Sequence, residues 1–212
     1  MPGGAVLVAA MAVALSLPVL AGCSAHPATQ QDALPTAPAT SDPEAAGASA
    51  SARPPAGPSL SFPPDVHLTF DYADTGNEAK DALLHDWEAG QRVFNAAETV
   101  RNPSFTLLAR YQARKALAAA VGTLHTKRLR GQTVIGTRRF DHVEVRELAG
   151  SLARVVWCVD DSRFFARDIG TGKALVHHGP GDYYRVHGTL QHDPKNNIWV
   201  LVDAVSEVGV RC

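Results

Sequence analysis

The hydrophobic periodicity of the chain changes near Gly131, and this change restricts the fold more than any other feature. Before that glycine, apolar residues recur at steps of three and four, the spacing that lines one face of a helix. After it, apolar and polar residues alternate in several short runs, as they do in strands with one buried face. Helices followed by strands predict an α+β fold, in which N-terminal helices pack on one face of an antiparallel sheet.

Two helices are expected before Gly131. The first begins at a predicted capping box, Thr75-x-x-Glu78, and ends near Val100. Its core face is formed by Leu83, Trp87, Gly90, Phe94 and Ala97. The segment Asn102-Pro103-Ser104 separates it from a second helix, which Ser104 can cap and Gly131 ends.

Five or six antiparallel strands are expected after the helices, and an extended segment at residues 66–72 precedes them. The runs with strand character are residues 133–139, 143–145, 152–159, 183–190 and 198–205. Gly170-Thr171-Gly172 indicates a tight turn, and residues 193–197 indicate a loop.

The N-terminus has the features of an export signal. Residues 5–21 contain no charge and are mostly Ala, Val and Leu. They end in Leu20-Ala21-Gly22-Cys23, which resembles the lipobox of bacterial lipoproteins. The resemblance implies a signal peptide at residues 1–22, cleavage before Cys23, and a lipid on its thiol. The alternative is an uncleaved membrane anchor, although the run is near the lower limit of about 17–25 residues for a span.

The remainder divides into a linker and one domain. Residues 23–64 hold the predicted lipidated Cys23 and a segment rich in Pro, Ala and Ser, with nine prolines among residues 24–64. Such a composition predicts disorder and a flexible reach of about 35 Å. Residues 65–212 have the length of one domain. A lipid anchor or a membrane span would place that domain at the outer face of the cell membrane.

The number of cysteines in the domain bears on whether they form a disulfide. With Cys23 lipidated, Cys158 and Cys212 remain. An oxidising compartment and an even number of cysteines favour a disulfide between them. The alternative is a pair of buried free thiols.

Several motifs together resemble a known group of proteins. They are Gly136-Thr137-Arg138-Arg139-Phe140, residues 156–162 (VWCVDDS), Thr171-Gly172-Lys173, Ile198-Trp199-Val200 and the terminal Cys212. The pattern resembles secreted proteins and lipoproteins of actinobacteria, of the Streptomyces type. Those proteins are similar to the nuclear-transport-factor-two-like (SnoaL-like, cystatin-like) superfamily. This resemblance implies a curved sheet that wraps the helices into a cone, and it is diagnostic of no single activity.

Four residues are candidates for catalysis if the cone holds an enzyme pocket. They are Asp160, Asp203, His187 and Tyr183, because the superfamily commonly pairs an Asp base with a His or Tyr. The alternative for Asp160 is a structural role in a turn, which Asp and Ser favour. Strand alternation adds that Asp160 points away from the core if Trp157 faces it.

No metal or cofactor is expected. The histidines of the C-terminal half, including adjacent His177 and His178, lack the regular spacing of metal ligands. The run Gly170-Thr171-Gly172-Lys173 lacks the lead sequence and strand-to-helix context of a phosphate-binding loop.

Charge is strongly segregated along the chain. Residues 65–100 hold eight acids and two bases, whereas residues 101–140 hold nine bases and no acid. One interpretation is that the acidic first helix packs beside the basic second one. The other is a basic contact patch formed by Arg114, Lys115, Lys127, Arg128 and Arg130.

Two functions remain open. The favoured one is a non-catalytic lipoprotein that binds an envelope protein or an anionic component of the envelope, such as a wall polymer, through the region of the second helix. Nucleic acid is not expected as a partner outside the cell. The alternative is a small-molecule pocket enzyme of the isomerase or dehydratase type, or a lipid or ligand carrier on the same fold.

Overall fold

The computed structural model describes residues 57–210. Among these residues, three α-helices pack against one sheet. The helices are α1 (Glu78–Thr99), α2 (Phe105–Tyr111) and α3 (Arg114–Leu129). The strands are β1 (Val66–Phe70), β2 (Gln132–Ala149), β3 (Leu152–Asp168), β4 (Ala174–Leu175), β5 (Tyr183–Asp193) and β6 (Ile198–Val208). The predicted α+β class is confirmed. The predicted signal peptide, Cys23, residues 23–56 and Cys212 lie outside the described residues.

The sheet has the order β1-β2-β3-β5-β6, and the short β4 pairs with β3. Its neighbouring strands are antiparallel, except that β1 runs parallel to β2 from Val66 opposite Gly136 to Phe70 opposite Phe140. The sheet is therefore mixed at one edge rather than wholly antiparallel. Parallel neighbours require a long crossover connection, which the three helices between β1 and β2 provide.

The start of α1 differs from the predicted capping box. Asn77 is the N-cap, and its side chain accepts a hydrogen bond from the Lys80 backbone N–H at 3.1 Å. Thr75, which precedes the helix, instead donates its hydroxyl to Asp81 in the first turn of α1 at 2.7 Å. The predicted box at Thr75 was wrong because Asn77 caps at least as well and lies directly before Glu78.

The predicted second helix is two helices. The backbone is extended at Gln112 and Ala113, between α2 and α3. There the Ala113 N–H donates to the Leu201 carbonyl of β6 at 2.9 Å. Ser104 makes no side-chain capping hydrogen bond. The break stabilises contact with the sheet, and no Gly or Pro marks it in the sequence.

Two groups of buried residues form most of the core. In the larger group, Leu84 and Trp87 of α1 pack against Val155, Trp157 and Leu190 of the sheet. The rings of Trp87 and Trp157 meet edge to face, with 5.4 Å between their centroids. The smaller group lies between the helices and the start of β6. Both groups fix the positions of α1 and α3 over the sheet.

Packing begins earlier than the predicted domain boundary at Asp65. Leu60 packs against the core between the helices. Phe62 packs against Val66, Val134 and Phe164. These two large apolar side chains belong to the end of the segment predicted as a linker. Within residues 57–210, no helix has the length and apolar character needed to cross a membrane.

Candidate functional site

A cleft of about 440 Å³ lies between the helices and the sheet. Its helical wall consists of Gln91, Phe94, Glu98, Gln112, Ala116, Ala119, Ala120 and Thr123. Its sheet wall consists of Arg138, Phe140, Trp157, Val159, Tyr184, Val186, Leu201, Ala204, Ser206 and Val208. The volume falls within the usual range of small-molecule sites.

The cleft exists because α3 turns small side chains toward the sheet. Ala116, Ala120 and Thr123 recur at steps of four and three, so they share one side of the helix. The larger Leu117 and Leu124 of the same helix pack in the core between the helices instead. Alanine cannot fill the distance to the sheet, and the space remains open.

Arg138 is the centre of a polar network at the inner wall of the cleft. Its Nε donates to Asp161 Oδ1 at 2.6 Å and its Nη2 donates to Asp161 Oδ2 at 2.7 Å, a two-pronged pair. Its Nη1 donates to Asn95 Oδ1 at 2.7 Å and Glu98 Oε2 at 2.9 Å. The guanidinium also lies 4.2 Å from the centre of the Phe164 ring. Hydrogen bonds from three of its nitrogens and the ring contact therefore fix the position of the guanidinium.

Two further residues complete the network. Lys127 Nζ of α3 lies 3.2 Å from Glu98 Oε1. The Tyr184 hydroxyl donates to Asp161 Oδ2 at 3.2 Å. Two cations, Arg138 and Lys127, thus face two carboxylates, Glu98 and Asp161, and their formal charges cancel.

The pKa values of two network residues follow from this environment. Burial opposes the charge on Arg138, but Tyr184, Glu98 and Asp161 outweigh that effect and raise its pKa well above the ordinary value. Burial raises the pKa of Tyr184, despite the nearby Arg138. At neutral pH, Arg138 is charged and Tyr184 is protonated. The tyrosine hydroxyl is therefore a hydrogen-bond donor, and Asp161 is its acceptor.

None of the four catalytic candidates lines this cleft. Asp160 accepts from the Ser162 N–H at 2.8 Å, a local contact of the kind found in turns. His187 Nε2 lies 3.3 Å from Glu207 Oε1, in a groove on the opposite side of the sheet. Tyr183 lines a third cavity, shared with Asp160. Asp203 Oδ2 lies 3.4 Å from Lys115 Nζ and is partly exposed.

Two residues of the Arg138 network, Asp161 and Tyr184, are chain neighbours of two candidates. Trp157 and Val159 are in the core, so alternation along β3 turns Asp161 toward the cleft and Asp160 away from it. In the same way, Tyr184 and not Tyr183 faces inward. Arg138 and Glu98 were not among the predicted site residues either. The sequence pattern that could have identified Arg138 is strand alternation. Arg138 shares its strand face with Val134 and Phe140, and both of these residues are buried.

The predicted basic patch is divided into two groups. Arg114 and Lys115 lie at the start of α3, whereas Lys127, Arg128 and Arg130 lie at its end. The helix rise places the two groups about 18 Å apart. Lys115 faces Asp203 and Lys127 faces Glu98, so part of the basic charge is compensated within the fold. The five residues do not form one continuous surface.

One of the two cysteines of the predicted disulfide lies among the described residues. Cys158 is buried in β3 and is not a free, titrating thiol. Its predicted disulfide partner, Cys212, lies outside the described residues, so that pairing stays a prediction. The donor atoms of Asp141, His142 and Cys158 all lie within 4.8 Å of one another. However, Asp141 already contacts Arg139 and His142. A zinc ion would also need a thiolate from its cysteine ligand, and Cys158 is not a free thiol.

A second groove, of about 560 Å³, lies on the face of the sheet that carries Cys158. Three arginines line it, and each has a carboxylate neighbour. Arg146 lies 2.8 Å from Glu144, and Arg154 lies 3.3 Å from Glu147. Arg185 lies 3.9 Å from Glu207. This groove therefore offers less unpaired charge than its arginine content indicates, and the cleft is the better candidate site.

Comparisons with known proteins give little further guidance. No protein-family model matches the chain, and no curated protein matches it. Thirteen chains of solved structures match. One is the intermembrane space region of the chloroplast protein ARC6, with 11% identity, 65% of this chain and 99% of that chain covered, and a TM-score of 0.43. A likeness at that TM-score supports no conclusion about fold or function.

Proposed function

We propose that this protein is a lipid-anchored binding module at the outer face of the cell membrane. Its cleft takes an uncharged, largely apolar ligand and does not transform it. The observation that carries the proposal is the mutual pairing of the charged side chains in and behind the cleft. Paired charges stabilise a binding wall, but they leave little capacity for proton transfer.

Acid–base catalysis requires a group that can reach the substrate with a free lone pair or an available proton. The ionisable residues among the described lining of the cleft are Glu98, Arg138 and Tyr184. Glu98 is bound by Arg138 and Lys127, and Tyr184 donates to Asp161. Moving Glu98 away from these partners would break its ion pairs with Arg138 and Lys127 inside the fold, which is energetically costly. This favours binding over the alternative of an isomerase-like or dehydratase-like enzyme.

The nature of the ligand follows from the walls. Phe94, Phe140, Trp157 and Val186 supply apolar surface, and α3 adds its alanines. A net charge on the ligand would find no unpaired opposite charge at the described wall. Gln91, Gln112, Thr123 and Ser206 offer uncharged polar groups that can orient one end of a ligand. An amphipathic molecule with a long apolar part fits this chemistry.

Sequence features support the proposed location of the protein at the outer face of the cell membrane. The apolar residues 5–21 and the adjoining Leu20-Ala21-Gly22-Cys23 support export and lipidation. The proline-rich composition after Cys23 predicts a linker long enough for the domain to reach ligands near the membrane. An apolar ligand of a membrane-anchored domain is available from the membrane itself.

We expect the protein recovered from a membrane fraction to begin at Cys23 and to carry acyl chains. Intact-mass measurement checks this directly, because the lipid adds a mass that the sequence cannot account for. A Cys23→Ser variant should keep its signal sequence uncleaved or leave the membrane without that mass. Recovery of wild-type chain with an unmodified Cys23 would contradict the anchor and leave the cleft untouched.

Narrowing the cleft should weaken ligand binding. Ala119 lines the cleft, so Ala119→Phe places a ring in the ligand space. We expect an apolar fluorescent probe, such as anilinonaphthalene sulfonamide, to bind at least about tenfold more weakly to this variant, since steric exclusion costs more than about 1.4 kcal/mol. Titration of the probe fluorescence gives both dissociation constants.

The matched control is Ala118→Phe, on the same helix but outside the cleft lining. Ala118 is exposed, as Ala119 is, but it does not line the cleft, so the added ring should leave the affinity within about twofold. Thermal unfolding of both variants verifies that each is folded. Equal affinities for the two variants would show that the probe binds elsewhere and would refute the cleft as the site.

A further inference from the structure

The C-terminal ends of α1 and α3 meet at a surface beside the cleft, and Glu98 lines both. Val100, Arg101 and Arg128 line one small depression there, together with Pro103. Leu129 and Arg130 follow Arg128 directly in the chain. We call the five residues Val100, Arg101, Arg128, Leu129 and Arg130 the basic end. Its cationic side chains come from two segments that are about 27 residues apart in sequence.

The three arginines of the basic end keep an uncompensated charge. Each is exposed, and no carboxylate of the described residues forms an ion pair with Arg101, Arg128 or Arg130. Their neighbour Lys127 differs, because its ammonium group faces Glu98 at 3.2 Å. The basic end therefore presents three positive charges to its surroundings.

Helix electrostatics explains only part of this arrangement. A cation in the last turn of a helix is favoured by the partial negative charge at that end, which accounts for Arg128. It does not account for Arg101, since α1 has no basic residue in its last turn. Nor does it explain the apolar residues of the same surface.

Two large apolar side chains stand exposed among the arginines. Leu129 is 74% exposed and Val100 is 50% exposed. A wall polymer or an acidic protein surface would pair with the arginines but would gain little from an isolated, protruding leucine. A bilayer interface accommodates both, because headgroups contact the cations and the acyl boundary receives the apolar side chains.

We propose that the basic end rests on the anionic headgroups of the membrane to which the protein is tethered. This inference relies on the proposed function for the nearness of a membrane, and the contact itself needs no lipid on Cys23. The composition of residues 23–56 predicts a reach of about 32 Å, which would allow the domain either to touch the bilayer or to stand away from it. The attraction acts within about 10 Å, and contact therefore sets the orientation of the domain.

Vesicle sedimentation tests the contact without the anchor. The chain from residue 23 onward, with Cys23→Ser, is mixed with vesicles of phosphatidylcholine alone or with one-third phosphatidylglycerol. We expect binding to the anionic vesicles that weakens as salt is raised. The triple variant Arg101→Glu, Arg128→Glu and Arg130→Glu should bind on the order of 100-fold more weakly, since each arginine contributes about fivefold. Leu129→Gln should weaken binding several-fold.

The matched control reverses three other exposed cations, Lys115→Glu, Arg154→Glu and Lys195→Glu, with the same change in net charge. It should retain binding within about threefold. Equal losses in both triple variants would show that net charge alone acts, and this would overturn the basic end as the contact. Equal binding to zwitterionic vesicles, or capture by polyglycerol phosphate with no vesicle binding, would also overturn it.

The two proposals fail in distinguishable ways. Vesicle binding by the basic end together with an unmodified Cys23 in cells would remove the anchor and keep this contact. A lipidated Cys23 with no vesicle binding would remove this contact and keep the proposed function. The cleft is tested by Ala119→Phe in either case.

Discussion

Replacing Arg138 with alanine should lower the free energy of unfolding by about 3–5 kcal/mol. The substitution removes from Asp161 the guanidinium that pairs with both of its oxygens, and it leaves Glu98 with Lys127 as its cationic partner among the described residues. It also removes the donor that satisfies the amide oxygen of Asn95, which is fully buried. Chemical denaturation monitored by tryptophan fluorescence measures the loss, since Trp87 and Trp157 lie in the core.

Arg139 provides the matched control. It is the next residue and has the same side chain, but it is about half exposed and pairs with Asp71, which is also exposed. Arg139→Ala should cost less than about 1 kcal/mol, as exposed ion pairs usually do. Similar costs for the two variants would contradict the network as a stabilising unit.

Replacing Gly136 with alanine should destabilise the fold by about 3 kcal/mol or more. Gly136 lies in β2 with φ +106°, a conformation that residues with a β-carbon rarely adopt. A β-carbon there would also stand 1.9 Å from the Arg163 carbonyl oxygen of the paired strand. Because the obstacle is backbone, no side chain can move aside, and β2 or β3 must shift. Urea unfolding at equilibrium measures the effect.

Gly122 in α3 is the control for this substitution. It has ordinary helical geometry, and an added β-carbon would meet no other atom within 4 Å. Gly122→Ala should therefore stabilise the protein by about 0.5–1 kcal/mol through helix propensity. A Gly136→Ala variant that unfolds at the wild-type urea concentration would contradict the strand pairing around this residue.

The order and type of the main elements could be predicted because their periodicities differ. Apolar residues spaced by three and four predicted α1. Alternating or continuous apolar residues predicted β3, β5 and β6. Boundaries that depend on distant partners could not be predicted. The break at Gln112 and Ala113 exists because that backbone pairs with Leu201 of β6, far along the chain. Likewise, the parallel pairing of β1 depends on how the helices return the chain to the sheet.

The candidate site was predicted less well, for a geometric reason. Strand residues alternate between faces, so an error of one position moves a side chain to the other side of the sheet. The acid and tyrosine were sought at Asp160 and Tyr183, whereas Asp161 and Tyr184 join the cleft network. Alternation with Trp157 was the signal that separates Asp161 from Asp160, and it required knowing which face is buried.

The basic patch shows a second limit. Charge counts along residues 101–140 detected an excess of cations but not their distribution in space. A helix separates residues at its two ends, and so Lys115 and Lys127 belong to different surfaces. Pairing with carboxylates far along the chain, such as Asp203, can be seen only in the folded structure. Arg101 joins Arg128 because two helices end side by side, which no local pattern indicates.

The central claim is that the cleft binds an uncharged, largely apolar ligand without transforming it. Native mass spectrometry of protein extracted gently from membranes tests this most directly. The account predicts a wild-type population that carries a non-covalent adduct of an intact amphipathic molecule. The adduct should be absent from Ala119→Phe and present in Ala118→Phe. Wild-type protein without an adduct, an adduct that persists in Ala119→Phe, or release of a chemically altered molecule would contradict the account.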